Sequence, residues 1–367
     1  MKDATRVVRA GLPAPEQGEP FLPGPIFAAP FHLRGDPADA DHVYTRYGNP
    51  TWERYEAALG ELEGGEAVLF SSGMAAASAL LLSLLRPGDA LVAPSDCYMA
   101  VRDVARGHLA ERGVEVTFIP TAELAPEALP ERLTLLWLES PSNPGLDLCD
   151  IEALAAAGHE RGALVAVDNT FATPLGQSPL ELGADFSVTS ATKHLCGHSD
   201  LLLGYAAASD PGRAEELRNW RRKTGALAGP FEAWLAHRSL ATLELRLERG
   251  CANALALAEL LAGRGDVRGL RFPGLPGDPA HELARRQMRR FGTVLCFDLG
   301  SCERAEAFLD AAELVTQATS FGGVHTLAER RGRWGADDVP EGFIRLSAGC
   351  EDPADLLADI EQALDAV

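Results

Sequence analysis

The sequence is short of positive charge. Its 33 lysines and arginines face 53 aspartates and glutamates, a net charge of −20, which argues against nucleic acid or an anionic membrane as a partner, since both reward basic residues. A small solute is the expected partner. Paired cysteines are missing too. The seven, Cys97, Cys149, Cys196, Cys251, Cys296, Cys302 and Cys350, are odd in number and contain no CxxC spacing, so neither a disulfide framework nor a metal site is expected, and a reducing cytoplasm suits them. The first stretch, MKDATRVVRAGLPAPEQGEPF, lacks the apolar core of an export signal. One uncharged run, Ala67 to Leu85, has the length of a membrane span. Ser71, Ser72 and Gly73 interrupt it, however, so it reads as strand, turn and buried helix. No internal repeat is visible.

What is present is an ordinary globular balance, 46% hydrophobic and 23% charged, over 367 residues, enough for about two domains. The Pro/Gly-rich opening, residues 1–45, suits an extended arm that contacts an adjacent subunit. Asn49 is placed to cap a helix with Pro50 at its first position, and Gly64 and Gly65 stop it. From there the short apolar runs AVLF, ALVAPS, EVTFIP, LTLLWLES, ALVAVDN and DFSVTS alternate with helical stretches. That alternation predicts a mostly parallel sheet covered by helices on both faces, with ligands gathering beyond the carboxyl ends of its strands. Residues 46–230 would form this large domain and 231–367 a smaller α/β domain. Its strands would include TVLCFDLG and GFIRLSAG. Its last helix would begin at Asp352-Pro353 with Leu356, Leu357, Ile360, Ala363 and Leu364 on one stripe.

Lys193 stands just past the strand ADFSVTS, behind Ser190 and Thr192. A lysine there is either an ordinary surface residue or a partly buried amine with a depressed pKa, able to form a Schiff base with a carbonyl cofactor. Pyridoxal 5'-phosphate (PLP) is the obvious candidate, and it needs a carboxylate for its pyridine nitrogen and donors for its phosphate. Asp168 ends the run GALVAVD and could serve the first need, or could simply cap a turn with Asn169 and Thr170. FSSGMAA offers a small turn into a helix N-terminus, which attracts phosphate. Ser190 and Thr192 could add hydroxyl donors.

At this point the motifs YTRYGNPT, FSSGMAA, ESPSNP, AVDNTF, SATKHLCGHSD, RSLATL, SFGGVHTL and IRLSAGCED, in this order from about Pro25 onward, resemble those of the PLP-dependent enzymes of cysteine and methionine metabolism. The most specific are YxRxGNPT and SATKxxxGHSD. The resemblance implies the PLP-dependent transferase fold (fold type I, aspartate aminotransferase-like), and carbon–sulfur lyase chemistry most like γ-elimination of cystathionine. γ-Replacement is the alternative within the family, and a catalytically silent homologue acting as a binding protein the alternative outside it. A nicotinamide-binding dehydrogenase is disfavoured because no GxGxxG turn follows the first strand.

By the same resemblance Lys193 is the Schiff-base lysine and Asp168 the partner of the pyridine nitrogen. Gly73 and Met74, with Ser190 and Thr192, form the phosphate cradle, and Tyr98 stacks on the cofactor ring. Arg345 grips the substrate α-carboxylate, with Asn143 and Ser320 nearby; Glu139, four residues before Asn143, is either an acid behind them or a structural residue. Tyr44 and Arg46 would reach the phosphate of an adjacent subunit, which implies a homo-oligomer, typically a tetramer built as a dimer of active dimers. The sequence departs from the family pattern in two places. Met99, Ala100 and Val101 stand where Gly-Gly-Thr is common, and His325, expected in the substrate wall, stands where glutamate is common.

Overall fold

The computed structural model describes residues 1–335 and 337–367. The helix expected after Asn49 forms as α2 (Pro50–Glu63): the Asn49 side chain accepts from Thr51 N–H at 2.9 Å, and Gly64 ends it in the left-handed region at φ 78°. The first turns differ from the expectation of an extended arm, because Asp3–Arg9 is a helix (α1) with Val7 buried and Asp3 paired to Arg290 at 2.8 Å. Beyond it, residues 12–49 hold only a short 3-10 turn at Pro37–Asp39 and one bridge between Pro30 and Tyr44.

The large domain is built on a seven-stranded sheet, β1 (Glu66–Phe70), β2 (Ala90–Pro94), β3 (Glu115–Ile119), β4 (Leu135–Glu139), β5 (Leu164–Asp168), β6 (Phe186–Thr189) and β7 (Gly204–Ala208), in the order β1-β7-β6-β5-β4-β2-β3. The strands are parallel except that β7 runs antiparallel to both β6 and β1. Both faces are dry. Val68, Phe70, Leu91, Leu135 and Trp137 face one core, while Leu69 turns to a second and Val92, Leu136, Leu138 and Val165 to a third, as the two-residue period of a strand covered on both sides requires. The uncharged run resolves into β1, a serine turn and α3 (Gly73–Leu84), with Ser72 accepting from Ala75 N–H at 3.0 Å. Among the described residues no helix is long and apolar enough to cross a membrane.

The stretch from Pro230 is two helices, Pro230–Leu240 and Leu243–Ala262, broken at Ala241-Thr242. Ala233, Ala236, Leu240, Leu243 and Leu247 share a core with Tyr55 and Leu59 of α2, and the C-terminal core gathers only from Ala254 onward. The chain therefore leaves the large domain inside the second helix, not near residue 230. The C-terminal sheet holds β8 (Arg268–Arg271), β9 (Val294–Asp298), β10 (Thr316–Gln317), β11 (Leu327–Arg330) and β12 (Phe343–Ser347), in the order β10-β11-β12-β9-β8. The helix Pro353–Asp365 closes it, burying Leu356, Ile360, Ala363 and Leu364. Each leucine or isoleucine so covered contributes about 1.5–3 kcal/mol.

Candidate active site

Because β7 reverses before β1 joins the sheet, β1, β2, β4, β5 and β6 all point their carboxyl ends to one edge. The residues just past those ends surround a cavity of about 410 Å³, lined among others by Gly73, Met74, Tyr98, Asn143, Asp168, Ser190, Thr192, Lys193, Ser320 and Arg345. A larger, more open hollow of about 800 Å³ beside α2 contains none of them. Geometry and chemistry select the smaller one.

Past β6 the chain turns sharply, and Ser190 N–H donates to Thr170 Oγ1 at 2.9 Å. This seats Ser190 against the first turn of α3. A methyl group on Gly73 would lie 2.6 Å from Ser190 Cβ and 2.9 Å from its Oγ, so only glycine lets the helix N-terminus and the serine close on one small space. Gly204 seals the same turn from behind, since a side chain there would lie 2.3 Å from Ser72 O. Thr192 also lines the cavity, but its hydroxyl donates to Leu203 O at 3.1 Å and accepts from Leu203 N–H at 3.0 Å. It pins the lysine loop to β7, and its proton is not directed at the cavity.

Lys193 Nζ donates to Ser320 Oγ at 2.6 Å and lies 5.0 Å from the centre of the Phe321 ring, which stacks on Phe171 at 4.2 Å. Burial, then the nearby Arg345 charge, lowers the lysine pKa to about 8, against the pull of Glu329. A free amine is thus within reach near neutrality. Ser320 is held at φ 96°, a strained conformation for a residue with a side chain.

Asp168 and Glu139 are register partners at the ends of β5 and β4. Burial, and for Glu139 next the charge of Asp168, pushes both carboxyls above their usual range. Asp168 accepts from Thr170 N–H at 3.0 Å and Glu139 from Tyr98 N–H at 2.7 Å. Glu139 therefore fixes the backbone that presents Tyr98, which is 43% exposed at the cavity mouth with its ring free to meet a ligand. Across the cavity, Arg345 donates to Asn143 Oδ1 and to Glu329 Oε1, both at 2.6 Å.

Three expected site residues lie elsewhere. Tyr44 and Arg46 do not line this chain's own cavity, and Arg46 instead packs its guanidinium 5.0 Å from the Tyr47 ring and donates to Arg222 O at 2.9 Å. His325, expected in the substrate wall, is exposed and does not line this chain's own cavity. Sequence reasoning missed Glu329, Arg331 and Trp334. Arg331 and Trp334 line the cavity, and Glu329 bonds both of them and Arg345. Among the described residues no group of three or more His, Cys, Asp or Glu side chains is placed to hold a metal ion.

A partly buried lysine of lowered pKa, a half-buried carboxylate at the end of the neighbouring strand, and a helix N-terminus sealed by Gly73 against Ser190 fit a cofactor with a carbonyl, a basic ring and a phosphate. That set defines a PLP enzyme of fold type I. The chain belongs to the family described as Cys/Met metabolism PLP-dependent enzymes, which matches residues 27–365. It is 57% identical to a Streptomyces coelicolor protein named "Putative cystathionine gamma-lyase", over 99% of this chain and 93% of that one. It is 41% identical to a cystathionine gamma-synthase of Mycobacterium tuberculosis, over 98% and 96%. The solved structure of a cystathionine gamma-lyase from Micromonospora echinospora superposes with a TM-score of 0.91 at 37% identity, covering all of both chains.

Proposed function

We propose that this protein catalyses γ-elimination on a sulfur amino acid, converting L-cystathionine and water to L-cysteine, 2-oxobutyrate and ammonia. The observation that carries the reading is that Lys193 and Arg345 meet at Ser320, whose Oγ accepts from Lys193 Nζ at 2.6 Å and whose backbone O accepts from Arg345 Nη2 at 3.4 Å, an acid–base group one residue from a carboxylate grip. The 57% identity to a relative named for this reaction supports it. γ-Replacement is the second reading, favoured by the 41% identity to a gamma-synthase.

PLP bound here supplies an electron sink for charge developing next to the α-carbon. The residues do the rest. Gly73 and Met74 N–H groups and the Ser190 hydroxyl would hold the phosphate at the α3 dipole. Asp168 would face the ring nitrogen, and an N–H⁺ there would pull its raised pKa back down and keep it ionised. Tyr98 would stack on the ring. Arg345, oriented by Asn143, would take the α-carboxylate as a two-pronged clamp. Lys193 would remove the α proton as a free amine and return protons at the neighbouring carbons, with Ser320 steering its Nζ. Tyr44 and Arg46 would complete the phosphate site of an adjacent subunit, making a dimer the smallest active unit and a tetramer its pairing.

A product assay on the cofactor-loaded protein tests this. Cysteine and 2-oxobutyrate from L-cystathionine alone are expected. Cystathionine formed only when O-succinyl-L-homoserine and L-cysteine are supplied together would make the protein a synthase instead.

A further inference from the structure

Arg345 is braced from behind. Its register partner on the neighbouring strand is Glu329, itself only 2% exposed. Oε1 of Glu329 accepts from Arg345 Nη2 at 2.6 Å, from Arg331 Nη1 at 2.9 Å and from Thr319 Oγ1 at 3.2 Å, and Oε2 accepts from Trp334 Nε1 at 2.9 Å. Arg331 is held in turn by Asp337, whose Oδ2 accepts from Arg331 Nε at 3.0 Å and whose Oδ1 lies 3.5 Å from Arg102 Nη2. Arg102 is in α4 (Met99–Asp103), the helix that starts just past Tyr98. One run of charged contacts thus joins the Tyr98 helix to the Arg345 fork.

All four groups that meet Glu329 come as donors. Only a carboxylate accepts on both arms; an amide in its place would set an N–H₂ against either Trp334 or the two arginines. Burial works against the Glu329 charge, but Arg345, Trp334 and Arg331 outweigh it and hold the carboxyl below its usual range. A negative group touching Arg345 weakens the attraction of Arg345 for a carboxylate, so a simple electrostatic role would make Glu329 a hindrance. Its geometry argues differently. With Asn143 on Nη1 and Glu329 on Nη2, the planar guanidinium is fixed at two nitrogens, and its remaining edge is presented in one orientation.

We propose that Glu329 is a positioning residue for recognition of the substrate α-carboxylate, holding the Arg345 fork in place with Arg331 and Asp337 behind it. This rests on the role proposed above for Arg345, but not on which reaction follows.

The test titrates the cofactor-loaded protein with L-alanine and with ethylamine, which differ by the carboxylate, and follows the cofactor absorbance. Neither ligand has a γ leaving group, so lyase and synthase behave alike. In Glu329→Gln the affinity for L-alanine is expected to fall roughly tenfold or more, the scale of one hydrogen bond to a charged group, while ethylamine binding is unchanged. Glu306→Gln, which removes the surface partner of Arg330, is expected to change neither. Equal losses for both ligands would mean that Glu329 only supports the wall, and tighter L-alanine binding would mean that it only neutralises Arg345; either overturns the proposal. Should Glu329→Gln fail to retain cofactor, Asp337→Asn loosens Arg331 one link further back. A selective loss for L-alanine is expected there too, and unchanged selectivity would overturn the brace. If the unaltered protein does not favour L-alanine over ethylamine, the role of Arg345 itself is wrong.

Discussion

Gly73 offers the sharpest test of the cofactor seat. In Gly73→Ala the new methyl group would meet Ser190 Cβ at 2.6 Å, Oγ at 2.9 Å and Cα at 3.0 Å. Carbon atoms pack best about 3.5–4.0 Å apart, so the helix start and the Ser190 turn must separate by about 1 Å. Neither side yields easily: the methyl group projects from the first turn of α3, and Ser190 is tied to Thr170. Overpacking of this kind costs about 1–3 kcal/mol. That cost falls on the fold and shows in the melting temperature; loss of one charge-assisted bond to the phosphate costs cofactor binding about 1.5–3 kcal/mol, so the cofactor dissociation constant is expected to rise about tenfold to a hundredfold. The assay is dialysis to remove cofactor, then absorbance titration with PLP, beside a thermal melt. Ser190→Gly in the same background removes the two closest-lying side-chain atoms and is expected to recover part of the melting temperature. Ser190→Ala keeps Cβ and is expected not to. An alanine variant that binds cofactor within twofold of the unaltered protein would refute the argument that this close approach builds the seat.

Two further expectations concern protons. Glu63, buried at the end of α2, accepts from the Tyr205 hydroxyl, and burial raises its pKa from 4.5 to about 7. The folded state thus holds the proton more tightly, and its contribution is full below pH 4.5 and lost as pH rises through about 7, an effect of about 3 kcal/mol; Glu63→Gln is expected to flatten this slope in denaturant melts between pH 5 and 8, and parallel curves would refute it. Lys193, with its pKa at about 8 and not the ordinary 10.5, is expected in the cofactor-free protein to react with an amine-selective reagent at a rate that rises through pH 8, read by mass spectrometry. A rise only near pH 10 would show the lysine is not desolvated.

Much of the site was legible because its chemistry is rare at strand ends. Lys193 and Asp168 are charged groups at the close of apolar runs, Arg345 stands out only through the family resemblance, and Asn49-Pro50 and Asp352-Pro353 mark helix starts by capping alone. The unread parts look bland locally. GYAAA, the strand β7, has no β-branched residue and only Tyr205 among strand-favouring types, so little in it announces a strand. AERRGRW reads as a solvated surface, and only the register of Glu329 against Arg345 of β12, with the 3-10 turn Arg331–Trp334 that follows, brings Glu329 and Arg331 together in the interior. His325 is the converse case: its motif neighbours Ser320 and Phe321 line this chain's cavity, and it does not.

The seal that Gly204 makes behind Ser72 and Gly73 also sets a timetable. At 5–20 residues per second, the roughly 130 residues between Gly73 and Gly204 take about 7–26 s to synthesise. Ser190 comes only shortly before Gly204, so through most of that interval a nascent chain carries the helix N-terminus of the seat without either of its partners. The phosphate seat is thus a late product of synthesis, complete only when β7 closes behind it.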